Sequence, residues 1–144
     1  MSRFQTILCP TDFSPLAARA FEYACDLARA YDARLVVMHA FFPAVLGSEA
    51  AEYIPEEVTA LRAAARKQLD DLRPADPAVR VERLLREAPA AQAILDAAAE
   101  WKADLIVMGS HGRTGVRRLV LGSVTEEVLR MAPCPVLTVK GPTP

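Results

Sequence analysis

Glycine is scarce in this chain: six residues against eleven prolines, in a sequence of 144. Aromatic residues make up only 6%, and cysteine occurs three times, at Cys9, Cys25 and Cys134. An odd, widely spaced set of thiols inside apolar patterns excludes a disulfide framework, and no Cys-Xaa-Xaa-Cys pair offers a zinc site. Long apolar runs are missing too. The longest, Leu35-Val36-Val37-Met38 and Leu105-Ile106-Val107-Met108, fall far below the roughly 20 residues a membrane helix needs. The opening residues carry no apolar stretch that would serve as a signal peptide. With reduced thiols, the expected location is therefore cytoplasmic. Charge of one sign is also lacking, at a formal net charge of -1, which argues against nucleic acid as a main partner. With 52% hydrophobic residues and so little net charge, the chain is not disordered, and its length suits a single domain over residues 1–144.

What is present is a regular alternation of hydrophobic periods. Thr6 to Cys9 reads as a short buried strand ending at Pro10-Thr11-Asp12. Ser14-Pro15 then supplies an N-cap and a first helical proline, and Leu16, Ala20, Ala24, Leu27 and Tyr31 mark one helical face. Strands follow at Arg34–His39, Val79–Leu84, Leu105–Met108 and Val136–Val139. Helices begin at Pro55, with Val58, Leu61, Ala65, Leu69 and Leu72 inward, at Pro89, and at Val124. The helix from Pro89 would turn Ala91, Ile94, Leu95, Ala98 and Trp101 to one side. Such β-α alternation predicts an α/β domain, a doubly wound parallel sheet with helices on both faces.

One connection stands apart. Four of the six glycines, Gly109, Gly112, Gly115 and Gly122, lie between the fourth strand and the fourth helix. Ordinary βα loops have about 2–6 residues, and much longer ones are usually functional. Glycines admit a ligand close to backbone N–H groups, and Gly122-Ser123 at a helix start adds free donors and the positive dipole end. Together these are the elements of a phosphate cradle. Ser110, Ser123 and Thr125 offer hydroxyls, and Arg113, Arg117 and Arg118 offer charge or simply a solvated face. Taken singly, Gly122-Ser123 is equally a plain helix cap. No Gly-Lys-Ser/Thr occurs and no Gly-Xaa-Gly-Xaa-Xaa-Gly follows the first strand, so the P-loop and the dinucleotide fingerprint are both excluded. Asp12 stands just past the first strand, where a carboxylate can take a ribose diol or, as readily, cap the turn at Ser14.

The spacing Gly109-Xaa2-Gly112-Xaa9-Gly122-Ser123 resembles the nucleotide-binding signature of ATP-binding universal stress proteins. Met108-Gly109-Ser110-His111-Gly112-Arg113, Ala132-Pro133-Cys134-Pro135-Val136 and the opening Pro10-Thr11-Asp12-Phe13-Ser14 are similar to the family's segments as well, so the resemblance spans the chain. It implies a five-stranded, Rossmann-like parallel sheet of order 3-2-1-4-5. By that resemblance Asp12 holds the ribose, beside Thr11, and the Pro10 and Ala40 backbones flank ribose and adenine. Met108 lines the base pocket, and Gly109, Gly112, Gly122, Ser123 and Val124 cradle phosphates bridged by magnesium or manganese. Two departures occur: Arg86-Glu87-Ala88-Pro89 stands where the family usually has a glycine, and Ala40 where valine is often found. The implied role is a nucleotide-dependent regulator in stress response that binds ATP, a homodimer through Pro135 to Val139. The alternatives are a slow ATPase or adenine-nucleotide-cleaving enzyme, and a nucleotide-independent scaffold. No catalytic residue and no side-chain metal site is singled out. His39 reads as a satisfied buried histidine, His111 as structural or weakly phosphate-binding, and the cysteines as core residues. The acids Glu49, Glu52, Glu56 and Glu57 read as a solvated loop and helix start.

Overall fold

A computed structural model describes residues 3–43, 55–111 and 121–141. Five strands alternate with four helices among them: β1 (Thr6–Pro10), α1 (Pro15–Tyr31), β2 (Arg34–Ala40), α2 (Pro55–Asp70), β3 (Val81–Arg86), α3 (Ala90–Glu100), β4 (Leu105–Gly109), α4 (Ser123–Met131) and β5 (Val136–Val139). The strands form one parallel sheet in the order β3-β2-β1-β4-β5. The chain thus has the expected doubly wound order.

The period-two pleat divides the core. Ile7, Cys9, Leu35, Val37, Leu105 and Val107 point to one face, where α1 and Leu69 of α2 cover them. Leu8, Val36, Met38, Ile106 and Met108 point to the other, under Ala93, Ile94, Ala97 and Ala98 of α3 and Val128 of α4. Alanine at these helix positions lets the helices lie close to branched strand residues.

Local signals start α1 as the sequence predicts. The Ser14 hydroxyl accepts the Ala17 amide at 3.2 Å, and Pro15 opens the helix. Asp32, in the left-handed region at φ 51°, ends it. Asp104 secures the far end of the sheet, its Oδ2 accepting the amides of Gln5 at 2.8 Å and Thr6 at 2.9 Å. The Asp104 amide in turn donates to the Thr6 carbonyl at 2.8 Å, so β1 and β4 are clamped where β1 begins.

Several expectations need correction. The third strand runs Val81–Arg86 rather than Val79–Leu84. Asp76 turns the chain first: its carboxylate takes the Ala78 amide and its carbonyl the Val79 amide, so Val79 is buried before the ladder begins. At the other end the Phe41 amide on the Arg86 carbonyl extends the pairing. Leu61 does not face inward but is 51% exposed, because α2 covers the β2–β3 margin with only Val58, Ala65 and Leu69 buried. Tyr31 is likewise exposed, its ring edge-on to Phe4. On α3 the buried stripe is Ala93, Ile94, Ala97 and Ala98, which leaves Ala91, Leu95 and Trp101 half-buried. Arg34 lies over the Trp101 ring at 5.0 Å. Finally, α4 starts at Ser123, with Gly122 as its N-cap.

Candidate functional site

The sheet parts at its switch point. β1 and β2 are in register over five pairs, from Thr6↔Arg34 to Pro10↔Met38. β1 and β4 share only Ile7↔Leu105 and Leu8↔Ile106. Beyond Leu8 the two central strands no longer pair, and a cavity of about 370 Å³ opens at their carboxyl ends. That is a small-molecule volume in the location where open α/β sheets bind ligands.

Of the residues singled out in sequence, Pro10, Thr11, Asp12, Ala40, Met108, Gly109, Gly122, Ser123 and Val124 all line this cavity. Three strands and the start of α4 bring them together from positions more than a hundred residues apart. Gly112 lies outside the described residues, as do Gly115, Arg113, Arg117, Arg118, Glu49 and Glu52.

Of the two roles left open for Asp12, the structure shows the turn-capping one and places the residue at the cavity wall. Its Oδ1 accepts the Ser14 amide at 3.0 Å, a tight turn that fixes the carboxylate at the cavity wall. A carboxylate has two acceptor oxygens, and among the described residues only Oδ1 has a hydrogen bond. On the same segment the Phe13 amide donates to Thr11 Oγ1 at 3.0 Å, and Phe13 sits at φ 63°.

At the opposite wall, the Gly122 amide donates to the Ser110 carbonyl at 2.9 Å and closes the neck of the long loop. The first bond of α4 runs from the Glu126 amide to the Gly122 carbonyl at 2.9 Å. The amides of Ser123, Val124 and Thr125 precede that bond, so they are the helix-start donors, with the positive dipole end behind them. Gly122 acts as the neck of the loop and as cap rather than as an amide donor to ligand.

Gly109 has a packing reason that its sequence context did not reveal. A Cβ there would meet Leu16 Cγ at 3.1 Å and the His111 carbonyl oxygen at 3.2 Å. Thr125, proposed as a hydroxyl donor, is already engaged: its Oγ1 donates to the Gly109 carbonyl at 2.9 Å. Ser110 is buried, with its amide on the Val139 carbonyl. His111 lines the cavity, its Nδ1 3.4 Å from Ser110 Oγ.

Sequence reasoning missed Ala17, Ala90, Ile94 and His39 as cavity residues. The first three carry no chemical signature. His39, expected as a satisfied buried histidine, is satisfied by the Thr11 carbonyl at 2.8 Å from Nδ1, but it is half-buried and lines the cavity. Cys9 adjoins the site but is no nucleophile. Burial pushes its thiol far up, as burial and then the nearby Asp26 and Glu22 push Cys25 up to about 11. Among the described residues no cluster of three or more His, Cys, Asp or Glu could hold a metal ion. None of their helices is long and apolar enough to cross a membrane.

These features define a class: an open doubly wound α/β domain with a partly apolar crevice at its switch point, walled on one side by a helix start. Comparison with known proteins narrows it. The profile of the universal stress protein family matches residues 3–140. The chain belongs to the universal stress protein family. A universal stress protein of Thermus aquaticus is 40% identical, the match covering 95% of this chain and 99% of that one. Universal stress protein UspA from Lactobacillus plantarum has the same fold at a TM-score of 0.75 and 26% identity, covering 96% and 99% of the two chains. A universal stress protein solved in complex with cAMP superposes at a TM-score of 0.63 with 30% identity, covering 94% and 96%.

Proposed function

We propose that the crevice binds ATP and that the chain acts as a nucleotide-dependent regulator in stress response. The observation that carries this reading is the convergence on one cavity of three complementary groups. They are the Asp12 carboxylate with one oxygen to spare, the main chain at the end of β2, and the first amides of α4. A ribose diol, a purine edge and a phosphate need these three in turn, and Met108, Ile94 and Ala90 supply apolar surface for the base. The solved relative in complex with cAMP supports an adenine nucleotide as the ligand class. Ser123, Val124 and Thr125 would hold phosphate oxygens through their amides. Magnesium or manganese would arrive with the nucleotide and supply charge neutralisation at the phosphates.

Titration calorimetry on nucleotide-free protein tests the reading. ATP binding in the micromolar to millimolar range is expected, and Asp12→Ala should weaken it by about tenfold, the loss of a charge-assisted hydrogen bond. No heat at millimolar ATP would end the proposal. Phosphate release during the same incubation, absent in Asp12→Ala, would mark the protein as a slow ATPase instead.

The reading extends to assembly and location. β5 has β4 on one side, and the exposed side chains of Leu129, Met131 and Leu137 lie on α4 and β5 beside it. An apolar edge strand is a template for a second copy, so we read the protein as a cytoplasmic homodimer joined along β5.

A further inference from the structure

The β1–β2 ladder stops before β2 does. Pairing with β1 ends at Pro10↔Met38, whereas pairing with β3 continues through His39↔Leu85 to Ala40↔Arg86. The last contact on the β1 side is the Thr11 amide on the Met38 carbonyl at 2.8 Å. In a parallel ladder a residue bonds to the neighbours that flank its partner. The next rung would therefore take the Ala40 amide to the Thr11 carbonyl and the Phe13 amide to the Ala40 carbonyl.

Both partners are already occupied by side chains. His39 Nδ1 lies 2.8 Å from the Thr11 carbonyl oxygen. A carbonyl can only accept, so Nδ1 carries the hydrogen and donates it. The Phe13 amide donates instead to Thr11 Oγ1 at 3.0 Å. Phe13 turns away from the strand at φ 63°, a conformation costly for a residue with a side chain, and its ring lies against the His39 imidazole with centroids 4.5 Å apart. His39 thus holds the turn twice, by a hydrogen bond and by ring contact.

We propose that His39 and Thr11 are positioning residues for the purine base: by occupying the Thr11 carbonyl and the Phe13 amide, they leave the Ala40 N–H and C=O facing the cavity as one donor and one acceptor. Ala40 lines the cavity, on the same strand edge as Met38. Adenine presents an amino donor beside a ring-nitrogen acceptor, which complements such a pair. Hypoxanthine presents an oxo acceptor beside a ring N–H, which opposes it at both points. The inference deepens the ATP reading and rests on it.

ATP and inosine triphosphate differ only at that edge, so their affinity ratio isolates it from general damage to the site. Wild-type protein should bind ATP at least about tenfold more tightly than inosine triphosphate. His39→Leu and Thr11→Val should each weaken ATP by about tenfold more than they weaken inosine triphosphate and so bring the ratio toward one. His39→Asn, whose amide nitrogen can donate to the same carbonyl, should restore the ratio. Unchanged ratios in both His39→Leu and Thr11→Val would overturn the positioning role while the nucleotide site stands. Failure of the wild type to bind any adenine nucleotide would remove the site and this inference together. Nitrogen-15 spectra of the wild-type imidazole need no variant: a hydrogen on His39 Nδ1 is expected, and a bare Nδ1 would overturn the proposal.

Discussion

At the scale of single residues, the site depends on atoms that are missing as much as on those present. Gly109→Ala places a methyl group 3.1 Å from Leu16 Cγ and 3.2 Å from the backbone oxygen of His111. Leu16 is in the core and the His111 oxygen is main chain, so neither yields freely. A loss of about 1–3 kcal/mol is expected, measurable by urea unfolding. The sequence placed Gly109 at the site for the sake of a ligand; its packing against α1 was illegible because Leu16 lies 93 positions away and nothing local marks the approach. Asp12 was legible from its place after β1, yet only the structure shows that one of its carboxylate oxygens serves the Ser14 turn. For His39 the sequence points to a satisfied buried histidine but not to the cavity, since an apolar strand with a terminal histidine does not disclose where its neighbour strand stops. Cys25 gives a pH signature. The folded chain holds that thiol proton up to about 11 against an ordinary 9.0, so its contribution to stability is whole below pH 9 and is lost as pH rises toward 11. Buried Cys9 shifts in the same direction. The melting temperature should fall across that window, and less steeply in Cys25→Ala.

At the scale of elements, the helices and strands were readable because each carries its own punctuation. Ser14-Pro15 and Pro55 stand at the helix starts, and four-residue apolar runs mark β2 and β4. Boundaries drifted where a turn competed with a strand pattern, as when the Asp76 turn took Val79 out of β3. The inward face of α2 was misjudged at Leu61 because a helix at a sheet margin buries a narrower stripe than one over its centre. The α4 start shows how elements combine into a site. Thr125 Oγ1 on the Gly109 carbonyl ties the first turn of α4 to the last residue of β4, and Thr125 is only 3% exposed. Thr125→Val keeps the shape but leaves that carbonyl without the hydroxyl. It should cost about 1–3 kcal/mol in thermal unfolding and weaken ATP binding by displacing the amides that follow Gly122.

At the scale of the whole molecule, the doubly wound class followed from alternation and the strand order from the resemblance, whereas the proposed association between copies would rest on surface that no single residue announces. Leu129, Met131 and Leu137 are exposed beside one sheet margin. Leu137→Lys should shift the protein from dimer to monomer in analytical ultracentrifugation, with secondary structure unchanged by circular dichroism. The sheet is also two half-sheets, β3-β2-β1 and β4-β5, stitched by two register pairs and by the Asp104 clamp at one end. In its strand pairing such a body resembles a tuning fork, joined at its base and parted at the carboxyl ends, with α1 packed against both arms. A molecule lodged between the arms would add rungs that the strands do not supply, and would stiffen the arms against one another. Occupancy would then be conveyed to β5, the outermost strand of one arm, as a damping of motion.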